Sequence, residues 1–100
     1  MKIKELAEEI IDFCTKYNIL INPGKSPQEI FMAKLRVEEH LKHSWFVEQL
    51  IHELLTKTRL NRKINRRRLK ILLLKLEKIR LDLEYDGKDA KASTLQLVRK

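Results

Sequence analysis

The sequence predicts an all-α protein: a small antiparallel bundle of three to four helices, with a long central C-terminal helix and a flexible tail. Three observations lead there. Only two Gly and two Pro occur in 100 residues, which favours long elements over turns. Leu, Ile, Glu, Lys and Arg, mostly good helix formers, dominate the rest. Apolar residues then return at three- and four-residue spacing along most of the chain. At 43% hydrophobic content one domain can bury a core, and we assign residues 1–87 to it and 88–100 to the tail.

The first helix is expected over residues 3–17. Ile3, Leu6, Ile10, Phe13, Cys14 and Tyr17 share one face, and Glu5, Glu8, Glu9 and Asp12 lie mostly on the other. Early acids suit the positive end of a helix dipole. Cys14 falls on the apolar side with no basic neighbour in sequence, the setting of a buried structural thiol. A lone Cys forms no intrachain disulfide and fits a reducing compartment.

Asn22-Pro23-Gly24 then marks a turn, and Ser26-Pro27-Gln28-Glu29 has the form of a capping box with Pro at the first helical position. The second helix is expected over 27–43 and the third over 45–57, with a break near His43-Ser44 and Ser44 as a candidate N-cap. Trp45 and Phe46 default to core packing, and an exposed Trp45 would instead mark a partner-binding patch. The final helix is expected over 61–85, closed by Asp86-Gly87.

Charge is unevenly placed. The chain carries +8, yet Lys57–Arg80 holds eleven basic residues and one acid, Glu77. The positive excess of the whole protein therefore lies in this segment. Along it Leu69, Leu72, Leu76, Ile79 and Leu83 form one apolar stripe. Leu73, Leu74 and Leu81 make the second half apolar nearly all round, which predicts burial from more than one side.

With Asn65, Leu72 and Ile79 alternating with Leu69, Leu76 and Leu83 along the two seam positions of a heptad repeat, the stripe resembles a parallel leucine zipper preceded by a basic stretch, as in bZIP proteins. The likeness covers about 25 residues, roughly three heptads. Arg59 meets the bZIP spacing of an Arg ten residues before the first zipper Leu, but Ile51 stands where that pattern has Asn. Lys75 would also oppose Arg80 across a parallel pair. Packing within the bundle accounts better for the stripe, and self-association through this Leu-rich helix is kept as a further expectation.

Catalytic and metal motifs fail on spacing. Gly24-Lys25-Ser26 resembles the end of a phosphate-binding P-loop, but Ile19 occupies its first Gly position. His52-Glu53 begins a zinc-protease helix motif, but Thr56 stands at the second ligand. His40, His43 and His52 do not converge on a straight helix. We expect no catalytic residues, no metal, no cofactor and no enzyme. The N-terminus has no continuous apolar run of a signal peptide, and the longest apolar run, Ile71–Leu74, is too short to span a membrane. A cytoplasmic protein is expected.

The basic ridge suggests function. Arg59, Arg62, Lys63, Arg66, Arg67 and Lys70, flanked by Arg68, are suited to the phosphates of DNA or RNA. Asn61 and Asn65, one turn apart, are placed to reach base edges. The leading expectation is a nucleic-acid-binding or nucleic-acid-associated regulatory protein. The alternative is a helical adaptor for an acidic protein surface. The bland reading is a solvated face balanced by Glu8, Glu9, Glu38 and Glu39.

Overall fold

A computed structural model describes residues 2–86, which form four helices and no strand. These are α1 (Ile3–Tyr17), α2 (Pro27–His40), α3 (Ser44–Thr58) and α4 (Arg66–Asp86). The tail expected over 88–100 and the Gly87 helix stop lie outside the described residues.

α1 has the bounds its periodicity predicts. Asn18 takes a left-handed conformation (φ 54°), and the Ile19 N–H bonds the Cys14 carbonyl at 3.0 Å, closing the helix as a Schellman motif. The α2 capping box forms as expected. Ser26 Oγ accepts from the Glu29 N–H at 3.1 Å, and the Glu29 carboxylate accepts from the N–H groups of Ser26 and Lys25. These donors hold the Glu29 carboxyl below its usual range, the Ser26 backbone N–H first among them.

Gly24 belongs to the same turn. Its φ is 99°, and a Cβ there would stand 2.4 Å from Glu29 Oε1. Gly24→Ala is therefore expected to lose roughly 1–2 kcal/mol through backbone strain and displacement of the cap. Urea titration of the two proteins checks this, and equal midpoints would refute it.

Two boundaries differ from expectation. α2 stops at His40, three residues early, because the chain must turn to bury both Leu41 and Val47. The His43 N–H bonds the His40 carbonyl at 3.0 Å, and extended His43, rather than Ser44, occupies the N-cap of α3. α4 starts at Arg66, five residues late. Asn61 Oδ1 accepts from the Lys63 N–H at 2.9 Å, and Asn65 Oδ1 accepts from the Arg68 N–H at 3.0 Å. Asn61 thus builds a turn and Asn65 caps the helix, roles in which Asn competes well against continued helix.

The helices pair as α1 on α2 and α3 on α4, with α1 and α4 joining the two hairpins. α4 runs antiparallel to α1, since Tyr17 meets Asn65 while Glu9 meets Lys75. α4 also runs antiparallel to α3, since Glu48, early in α3, meets Arg80, late in α4. α1 is buried most widely, through Leu6, Ala7, Ile10, Ile11, Phe13 and Cys14. Burial pushes the Cys14 thiol up to about 11, so at neutral pH it is an uncharged core group.

α4 lies between α1 and α3 and buries Leu69, Leu72, Leu76 and Ile79 against them. The zipper-like stripe is thus core of the same chain. The expectation that the second half of α4 is covered all round is wrong, because Leu74 is 61% and Leu81 51% exposed. The described body measures 49 × 31 × 19 Å. Its thin dimension holds about two helix layers, so no other described element covers the outer face of α4.

Candidate nucleic-acid interface

The six predicted phosphate-contacting residues do not form one helical ridge. Arg59 caps the C-terminus of α3, Arg62 and Lys63 stand in the α3–α4 turn, and Arg66, Arg67 and Lys70 occupy the first turns of α4. All six are exposed. On α4, Arg66 and Lys70 are one turn apart with Arg67 beside them, so these three share a side of the helix. Arg66 is partly committed: its Nη2 donates to the Asn61 carbonyl at 3.0 Å and braces the turn.

Tyr17 ties this region to α1. Its hydroxyl accepts from the Asn65 N–H at 3.1 Å, and its ring packs 4.8 Å from that of Phe13. The Arg68 guanidinium lies 5.7 Å from the Phe13 ring centre, a cation–π contact that turns it towards α1. Beside it is an open groove of about 330 Å³ lined by Glu9, Asn65, Arg67, Arg68, Ile71, Leu72 and Lys75. Sequence periodicity did not reveal that Lys75 and Arg68 border this groove, because their placement depends on how α1 packs against α4.

Ion pairing sorts the basic residues into two groups. Lys75 pairs with Glu9 at 2.7 Å, and Lys78 lies 3.9 Å from Asp82. Arg80 binds Glu77, Glu84 at 2.8 Å and Glu48 at 3.5 Å. The hydrogen bond from Arg80 holds the Glu77 carboxyl below its usual range. In contrast, among the described residues no carboxylate lies within 4.0 Å of the side-chain nitrogens of Arg59, Arg62, Lys63, Arg66, Arg67 or Lys70. Of the acids expected to balance them, Glu9 is taken by Lys75 and Glu39 by Lys42.

The helix dipole sharpens this. Arg66, Arg67 and Arg68 open α4 with no acid in its first turn. Each places positive charge at the positive end of the helix, unfavourable by roughly 0.3–1 kcal/mol. An anion at this end relieves that repulsion and meets the backbone N–H groups of Arg66 and Arg67, the Arg68 N–H being held by Asn65.

Asn61 and Asn65 do not fit the base-reading role. Bidentate recognition of adenine uses both ends of the amide, and both side-chain oxygens are bound to backbone N–H groups. Among the described residues no three His, Cys, Asp or Glu side chains come together as a metal site would require. No helix of the described residues is long and apolar enough to cross a membrane.

No family model, curated protein or solved structure matches this chain.

Proposed function

We propose that the protein is a non-enzymatic nucleic-acid-binding protein, whose α3–α4 turn and α4 N-terminus bind phosphates. One observation carries this reading: six exposed basic side chains, without an acidic partner among the described residues, run from the end of α3 through the turn to the positive end of α4. Arg59, Arg62, Lys63, Arg67 and Lys70 contact the backbone in this reading, and Arg66 contributes while bracing the turn. Their binding releases counterions, so affinity falls steeply with salt. With both Asn oxygens committed, recognition rests on phosphate position and groove shape more than on base edges.

Fluorescence anisotropy with labelled duplex DNA, single-stranded DNA and structured RNA tests this, at about 50 and 200 mM salt. The informative variant is Arg59→Glu/Arg62→Glu/Lys63→Glu, which leaves α4 and its packing untouched. It is expected to weaken binding by roughly two orders of magnitude and flatten the salt dependence, with helicity unchanged. Absence of wild-type binding at the lower salt would overturn the reading.

A second reading has its own observation. Trp45 is 60% exposed and stacks on His43 at 6.1 Å, and Phe31, Met32 and Leu35 stand exposed on α2. The core role expected for Trp45 therefore gives way to exposed aromatic surface suited to a protein partner. Nucleic-acid binding that survives Trp45→Ala separates this patch from the basic surface.

A further inference from the structure

α4 carries two apolar stripes, and among the described residues the bundle buries one of them. Leu69, Leu72, Leu76 and Ile79 are buried. Roughly opposite them around the helix, Ile71, Leu74, Lys78, Leu81 and Tyr85 fall within an arc of about 80°. Their 3-4-3-4 spacing is that of a coiled-coil seam, with Ile71, Lys78 and Tyr85 at a and Leu74 and Leu81 at d. Ile71 is 47% and Tyr85 82% exposed, and Leu74 and Leu81 are more than half exposed.

We propose that this stripe binds the same stripe of a second copy of the chain, with the two α4 helices antiparallel. Charge on its flanks selects both the partner and the direction. In a parallel pair, flanking residues meet as Glu77 with Asp82 of the partner subunit and Lys70 with Lys75 of the partner subunit, so both contacts repel. In the antiparallel pair Ile71 packs against Leu81 of the partner subunit. The flanks then bring Lys70 to Glu84 of the partner subunit, twice by symmetry, with each Glu84 carboxylate shared between that lysine and Arg80 of its own chain.

Lys75 and Glu77 meet their own copies in that arrangement, but both charges are already matched within the chain, by Glu9 and Arg80. The single polar seam residue, Lys78, packs its stem against Leu74 of the partner subunit and keeps its ammonium beside Asp82. Glu77, Asp82 and Glu84 offset Arg68, Lys70 and Lys75 on the flanks, so this face has little cationic excess with which to hold an anionic membrane. This inference does not depend on nucleic-acid binding.

Sedimentation velocity on the full chain over about 5–500 µM tests it, with a dimer dissociating at tens of micromolar expected for a seam of about two heptads. Leu74→Glu/Leu81→Glu is expected to be monomeric throughout, with unchanged helicity and the thermal midpoint of the dilute wild-type monomer. A wild type that stays monomeric at the highest concentration overturns the proposal. So does a drop in the monomer's thermal midpoint in the double variant, which would mean the stripe is covered within the chain. Direction is read by disulfide formation in single-Cys additions, Cys14 being buried. Glu77→Cys is expected to cross-link to its mate and Ile71→Cys not to. The reverse pattern overturns the antiparallel assignment.

Discussion

Phe13→Ala is expected to remove about 4 kcal/mol of stability, a large share of what a domain of this size holds. Phe13 is completely buried and does more than fill space. Its ring supports Tyr17, whose hydroxyl holds the Asn65 N–H at the entrance to α4, and its face receives Arg68. Truncation thus opens a cavity and loosens the main link between the α1–α2 and α3–α4 hairpins. Urea denaturation followed by circular dichroism measures the loss. A change below about 1 kcal/mol would mean that the two hairpins are held elsewhere. Phe13→Leu, which keeps most of the volume, should retain most of the stability.

Leu76→Ala and Leu74→Ala make the second test, two residues apart on one helix. Leu76 is fully buried between α4 and its neighbours, so its loss is expected to cost about 3 kcal/mol. Leu74 faces outward, and Ala is the better helix former, so its replacement should change stability by less than about 0.5 kcal/mol. Both are measured at about 1 µM, below the range in which a two-heptad seam associates. Equal losses would refute the assignment of two unlike faces to α4.

The contrast also shows what was legible beforehand. α1 was readable to the residue because acids and apolar residues alternate cleanly around it, and Asn18 ends it. The α2 capping box was readable because Ser, Pro and Glu stand at fixed offsets. The start of α4 was not. Leu60 and Ile64 continue a helical spacing across Asn61 and Asn65, and periodicity cannot reveal that both Asn side chains fold back on the backbone. Nor can it separate a helix buried on two sides from one with a covered and an open stripe, because both read as apolar all round. Only the packing distinguishes them. For the candidate site, the exposure of the six basic residues follows from their charge. Which of the segment's cations find an acid among the described residues does not, because Glu9 and Glu48 reach it from α1 and α3.

The arrangement of two hairpins side by side carries a kinetic consequence. Most packing joins helices that follow one another in the chain, α1 with α2 and α3 with α4, and the α1–α4 seam is narrower. Such local connectivity closes short loops first, so folding should fall in the microsecond-to-millisecond range typical of helical bundles. Each hairpin can form early, with the α1–α4 seam closing last and opening first. In native-state hydrogen exchange, amides beside that seam, including the Asn65 N–H held by Tyr17, should therefore exchange through a smaller opening than those deep within either hairpin. The turn that carries Arg62 and Lys63 ends at Asn65, which Tyr17 ties to α1, so it borders this same seam.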